Sequence, residues 1–300
     1  MGEVDAKVAV AMVSLNCKGV LRDCLDSLRT LDPPIPLELI LVDNASTDGT
    51  LEMVRADYPE LAVIENDGNK GFSIATNQGV EATTAPYVLL LNTDTIVEPD
   101  SISTLVQFLE DNPKAAAVGP KVLNGDGSFQ PQCRRGKPTP LASLLYLLKF
   151  HKLFPDKPWA NGYLLGHLPL DQSAQVDAIS GCCLLTRRDI WKEIGELDPG
   201  IFGYGEDIDW CLRAKEHGYE VWYYPQSVIT HLKGQGGAHS KPYHKIWGIH
   251  QAMWVVYRKH FRKGIFTTAL VIGGIAGSFA LACVLTTVKR IVKPPRRAPA

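Results

Sequence analysis

Between Val8 and Leu91 the chain alternates short apolar runs with amphipathic segments, and this alternation restricts the fold more than any other feature of the sequence. Val8 to Leu15 is a continuous apolar run, after which Leu21, Leu25 and Leu28 recur at helical spacing. Leu37 to Val42 is a second run, ending at Asp43, and Ser46-Thr47-Asp48 then suits the start of a helix through Met53 and Val54. Leu61 to Ile64, a helix around Ile74 to Ala82, and Tyr87 to Leu91 continue the series. Such units predict an α/β fold, a mostly parallel sheet flanked by helices, in which ligands bind at the carboxyl ends of the strands.

Polar residues gather at those ends. Strand one is followed by Asn16, strand two by Asp43-Asn44, and strand four by Asn92-Thr93-Asp94. Each alone reads as a turn or a helix cap, where Asp and Asn are common. Three that converge on one edge of a sheet point to a site.

The second half is less regular. Residues 124 to 175 carry six prolines and a helical run near Leu141 to Phe150, the pattern of a binding loop or lid. Order returns at Ala178 to Thr186, followed by a helix start at Arg187-Arg188-Asp189, a glycine-rich turn and a helix from about Glu206 to His217. The strand Val221 to Tyr224 and the apolar pair Val228-Ile229 lead to His231.

From Gly264 to Val288 no residue is charged, while basic residues stand on both sides. The run is long enough to span a bilayer, which takes about 20 helical residues, and a membrane helix is expected there rather than a buried terminal helix. The expected organisation is a catalytic domain over residues 1–240, an amphipathic, basic connecting helix over 241–263, a membrane helix over 264–289 and a basic tail over 290–300. Trp247, Trp254 and Tyr257 suit either a membrane interface or core packing. The N-terminus shows no basic stretch before an apolar one, so no cleaved signal is expected.

With 31 Lys and Arg against 32 Asp and Glu, the charge balance gives no reason to expect a nucleic-acid partner. The seven cysteines are scattered without C-x-x-C pairs or zinc-like spacing, and read as core residues in a reducing compartment.

Asp94 at the rim of a parallel sheet is well placed to hold a hard divalent cation, Mg2+ or Mn2+, which takes its remaining oxygens from phosphate and water. No G-x-x-x-x-G-K-[ST] loop and no G-x-G-x-x-G after strand one are present, which argues against a nucleoside triphosphatase and a nicotinamide dehydrogenase. Metal-bound pyrophosphate without a glycine cradle remains. In Glu206-Asp207-Ile208-Asp209, acidic residues suit a helix N-terminus, and Asp209 can pair with Arg213 at i, i+4. Glu206 and Asp207 are left at the preceding turn, where a carboxylate can serve as general base.

Several strings together resemble family 2 glycosyltransferases: Val42 to Thr50, Asn69-Lys70-Gly71-Phe72 with Asn77-Gln78-Gly79, Asn92-Thr93-Asp94, Ser180 to Leu185, Tyr204 to Asp209, and Pro225 to His231. They keep the family's order over about residues 7 to 240 and are most similar to the bacterial rhamnosyltransferase-like branch of cell-wall and surface-polysaccharide synthesis. The resemblance implies a GT-A, Rossmann-like fold and a role for each matched residue. Asp43 would accept from a uracil or thymine N3–H, with the backbone near Asn16 completing the base pocket. Asp94 would be the metal carboxylate of a D-x-D-type motif and His231 the second metal ligand. Asp207 would be the general base. Lys70, Asn77, Asn92, Thr93 and Glu206 would line the donor site. The motif departs from D-x-D at its first position, Asn92, and Thr93 stands where some relatives carry Asp, which weakens a ribose contact more than the metal site.

These parts imply an inverting, metal-dependent transfer from a nucleotide-sugar donor, with dTDP-rhamnose expected and UDP-hexoses or UDP-N-acetylhexosamines as alternatives. A non-catalytic nucleotide- or carbohydrate-binding scaffold is the rival of another class. The acceptor is expected to be a glycan or a lipid-linked glycan at the cytoplasmic face of the membrane. The basic segment Gln130 to Pro140 reads equally as a contact for the acceptor's phosphate and as a solvated loop.

Overall fold

A computed structural model describes residues 6–232 and 242–292. Residues 1–5, the expected domain boundary near 240 and most of the basic tail, including Lys293, Arg296 and Arg297, lie outside the described residues.

The first four strands form where the apolar runs predict them. Strand β1 (Val8–Ser14) lies between β2 (Leu37–Asp43) and β4 (Tyr87–Leu91), parallel to both, with β3 (Ala62–Glu65) outside β2. Helices α1 (Lys18–Leu28), α2 (Thr50–Asp57) and α3 (Phe72–Glu81) alternate with them. α1 buries Leu21, Leu25 and Leu28, the three residues at helical spacing, each contributing about 1.5–3 kcal/mol by leaving water. The Asp48 carboxylate accepts from the Thr50 N–H at 3.1 Å and the Lys18 N–H at 3.0 Å, tying the first turns of α2 and α1 together.

Beyond β4 the sheet continues in a way the apolar alternation does not show. β10 (Cys183–Arg187) runs antiparallel between β4 and β6 (Ala115–Asn124), and β11 (Glu220–His231) lies parallel to β6. β5 (Thr95–Val97) pairs antiparallel with the end of β11, and β8 (Ala174–Val176) with its start. Six of these nine strands therefore point one way. β6 begins Ala115-Ala116-Ala117, poor strand formers, but these small residues are fully buried at the middle of the sheet, where packing overrides propensity. Pro225 does not divide β11, because a register shift between Tyr224 and Val228 accommodates it.

Helix α4 (Ser101–Asp111) covers this half of the sheet. The proline-rich excursion leaves through β7 (Arg134–Arg135), forms α5 (Pro140–Leu147), α6 (Phe150–Leu153) and α7 (Pro158–Asn161), and returns through β9 (Ala178–Ile179), which pairs with β7. Thr139 caps α5 by accepting from the Ala142 N–H at 3.2 Å, with Pro140 at the first helical position.

Helices α8 (Arg188–Ile194) and α9 (Glu206–Glu216) follow, with Trp191 stacked on Trp210 at 5.2 Å. The segment expected as a connector is helix α10 (Pro242–His260), and it packs into the core through Ala252, Val255, Val256 and Tyr257. Its end is fastened to α9. The Lys259 Nζ lies 2.7 Å and the His260 Nε2 2.9 Å from Oδ1 of buried Asp209, whose Oδ2 takes the expected i, i+4 partner Arg213 at 3.0 Å.

Helix α11 (Ile265–Val292) returns antiparallel along α10, with side-chain hydrogen bonds Tyr257–Thr268, His250–Ser278 and Tyr243–Thr287 marking the register. Within Ile265–Ile291 its most apolar 18-residue stretch has a mean hydropathy of 2.1 and is unburied, so by length and composition it can cross a membrane.

Candidate active site

A cavity of about 960 Å³ opens at the carboxyl ends of β1, β2 and β4, where the polar strand ends predict a site. Its inner wall holds Asn92, Thr93, Asp94, Glu206, Asp207 and His231, six of the residues singled out from the sequence.

Asp94 and His231 are 137 positions apart, and sheet pairing joins them. Antiparallel register sets His231 opposite Thr95, the Leu232 N–H donates to the Asp94 carbonyl at 2.8 Å, and His231 Nε2 stands 3.0 Å from Asp94 Oδ1. On its other side, His231 Nδ1 is 3.2 Å from the Gln130 side-chain nitrogen. Burial pulls the His231 pKa down, but hydrogen bonds to Asp94 and Cys182 outweigh it and push it up to about 10. Two converging donors, one carboxylate and one imidazole, now hold a proton between them. Asp94 and His231 would suit a hard divalent cation, which needs the imidazole neutral to bind. Among the described residues, no cluster of three or more acidic, Cys or His side chains offers an all-protein cage.

Asp207 lies in the first turn of α9 and is held from three directions. Its Oδ2 accepts from Arg135 Nη2 at 2.6 Å and from the Gly181 N–H at 2.8 Å, and its Oδ1 accepts from the Ile208 N–H at 2.7 Å. Arg134 and Arg135, in the segment that reads equally as an acceptor-phosphate contact and as a solvated loop, are both buried. Arg134 donates to the carbonyls of Pro169 at 2.7 Å and Leu168 at 2.6 Å, bracing the excursion, and only Arg135 reaches the cavity. Period-2 placement on a two-residue strand sends the two guanidinium groups to opposite faces. Next to Asp207, burial first and then the Asp207 charge push the Glu206 carboxyl up to about 7.

The turn that presents these acids depends on glycine. Gly205 has φ +141°, and a Cβ there would sit 3.1 Å from Ala252 of α10. Across the cavity mouth, Gly71 has φ +88°, and its Cβ would come within 2.8 Å of the Phe202 ring.

The other expected donor residues stand elsewhere. Asp43 is buried behind the wall, where its carboxylate accepts from Ser14 Oγ at 2.6 Å, Ser46 N at 2.8 Å and Ser46 Oγ at 2.6 Å. Asn16, at φ +50°, accepts from the Thr47 N–H at 2.7 Å. Together they shape the loops at the ends of β1 and β2, and Ser14 and Asn44 from those ends face the cavity. Lys70 pairs with Asp67, and Asn77 exchanges two hydrogen bonds with the Leu197 backbone at 2.8 and 3.0 Å. Neither lies on the cavity wall.

A mostly parallel sheet brings an acidic strand end, a strand-end histidine and a second acidic turn to one cleft, and similarity to known proteins makes this a glycosyltransferase of GT-A architecture. The chain belongs to glycosyl transferase family 2, whose family model matches residues 9–195. It is 28% identical over 226 residues to an N-acetylglucosaminyl-diphospho-decaprenol L-rhamnosyltransferase of Mycobacterium tuberculosis, covering 70% of this chain and 73% of that protein. It is 35% identical over 209 residues to a glucosyl-dolichyl phosphate glucuronosyltransferase of Haloferax volcanii, covering 65% of this chain and 59% of that protein. The fold is shared with GalNAc-T7, solved with UDP, GalNAc and Mn2+, at a TM-score of 0.58 and 17% identity over 75% of this chain and 43% of that one.

Proposed function

We propose that this glycosyltransferase moves a sugar, best rhamnose from dTDP-rhamnose, onto a hydroxyl of a lipid-linked glycan with inversion at the anomeric carbon. The observation that carries the reaction type is one cleft holding Asp94 and His231 together with Asp207. The donor and acceptor classes are supported by similarity to the mycobacterial L-rhamnosyltransferase. A divalent cation held by Asp94 and His231 would supply Lewis-acid stabilisation of the leaving nucleoside diphosphate. Asp207 takes the proton of the acceptor hydroxyl as its oxygen bonds to the anomeric carbon, and the bond from that carbon to the diphosphate breaks in the same displacement. Arg135 and the Gly181 N–H fix the carboxylate's direction. Asn92 and Thr93 contact the donor, and Asp43 with Asn16 sets the shape of the nucleobase end.

Glu206 is a second reading for the base, favoured by its place on the same wall and its raised pKa. We place the catalytic domain at the cytoplasmic face of a membrane, where nucleotide sugars are made, with α11 as its anchor.

Incubating the purified full-length protein with dTDP-rhamnose, UDP-hexoses and UDP-N-acetylhexosamines, with a lipid-linked glycan as acceptor, tests this function by mass spectrometry of the product. Transfer from dTDP-rhamnose is expected to dominate. Preference for a UDP-sugar would replace the donor, and absence of transfer from every donor would leave a binding scaffold.

A further inference from the structure

The active-site cavity has two unlike ends. Its inner end carries the acids, His231 and Arg135, whereas its outer end is walled by Leu141 and Leu144 of α5, Met253 and Val256 of α10, and Leu270 and Ile275 of α11. Building on the lipid-linked acceptor proposed above, we propose that this outer end is the slot for the acceptor's hydrocarbon chain.

A nucleotide sugar is polar along its whole length and gains nothing from such a wall. Apolar surface left in water costs about 25 cal/mol per Å², and a slot of this kind beside a polar reaction centre matches a ligand with one polar and one hydrocarbon end. The surroundings of the slot choose the same ligand. α5 buries none of its residues, leaving Leu141 66% and Leu144 50% exposed, and it stands against α11, the helix apolar enough to enter a bilayer. The slot therefore opens between two elements that themselves present hydrocarbon outward, so a chain embedded in lipid enters from the side without crossing water. On the α11 wall, a Cβ added to Gly274 would meet nothing within 4 Å, leaving free width.

The junction between the ends is charged. Lys245, the one basic side chain along the α10 and α11 walls of the cavity among the described residues, lies with its Nζ 5.5 Å from the Tyr204 ring, beside the turn that delivers Asp207. A cation there suits the phosphate that joins a lipid chain to its first sugar.

The test uses the full-length protein in lipid nanodiscs and a saccharide-diphosphate acceptor whose hydrocarbon chain carries a photoreactive diazirine. Cross-links are expected in 141–147 and 270–275. Glycosylation of the probe with cross-links confined to Phe266, Val284 and Ile291, exposed on α11 and off the cavity wall, overturns the slot. Turnover of soluble glycans with no transfer to any lipid-linked acceptor overturns the acceptor reading, and the slot falls with it. In a second measurement, Gly274→Trp should raise KM for a long-chain acceptor about tenfold more than for one with the same head and a short alkyl chain, equivalent to ~1.4 kcal/mol. Equal shifts for the two acceptors overturn the slot.

Discussion

Arg135 Nη2 lies 2.6 Å from Asp207 Oδ2, joining a two-residue strand of the proline-rich excursion to the first turn of α9. Both side chains are nearly buried, so each is the other's main charge partner. Removing one partner of such a pair strands the other, at about 3–5 kcal/mol. Arg135→Met should therefore lower the melting temperature sharply, and the double variant with Asp207→Asn should recover part of the loss. Additive losses in a double-mutant cycle, followed by scanning calorimetry, would show that the pair is uncoupled.

Asp207→Asn and Glu206→Gln separate the two candidate bases. Loss of the base should lower kcat by about 10²–10⁴-fold. We expect that loss in Asp207→Asn, with donor binding by calorimetry retained, and a smaller effect in Glu206→Gln. Near-normal turnover in Asp207→Asn, with the large loss in Glu206→Gln, would move the role to Glu206.

Metal removal probes the Asp94–His231 pair. EDTA treatment should abolish transfer, Mg2+ or Mn2+ should restore it, and Asp94→Asn or His231→Ala should weaken Mn2+ binding measured by its electron paramagnetic resonance signal. Loss of an outer-shell partner alone commonly costs about 10–100-fold in metal affinity, so loss of a ligand itself should be detectable by titration. Full activity in thoroughly metal-stripped protein would rule the Asp94–His231 site out of the reaction.

What was legible in the sequence follows from where the determining contacts lie. Val8 to Leu91 carries its own periodicity, so β1 to β4 and their helices could be read locally, and so could the acids at their ends. β5 and the start of β6 could not: β5 is three residues long, and Ala115-Ala116-Ala117 is a strand only because its neighbours in the sheet bury it. The Asp94–His231 pair was reached through resemblance, since a pairing across 137 residues leaves no local trace. Arg135 was missed as the Asp207 partner for the same reason, and its buried twin Arg134 shows that a basic pair in a loop-like segment carries no indication of which side chain turns inward. Asn77 sat in a matching string, yet its amide is spent on Leu197.

The ionic cluster that fastens α10 to α9 makes a prediction about pH. His260 Nε2 is 2.9 Å from Asp209 Oδ1, and its Nδ1 is 2.7 Å from Glu216 Oε1, so both ring nitrogens face carboxylates. Burial lowers the His260 pKa, but hydrogen bonds to Asp209 and Glu216 outweigh it, and the result lies above the ordinary histidine value. The folded protein thus holds this proton more tightly than the unfolded chain does. Its contribution to stability is complete below the unfolded value of about 6.5 and is lost as pH rises through the higher folded value. Lys259 and Arg213 also contact Asp209. The melting temperature of the wild type should exceed that of His260→Gln most at about pH 6, and the gap should narrow toward about pH 9. A gap that stays constant across that range would mean that His260 holds α10 to α9 by packing alone.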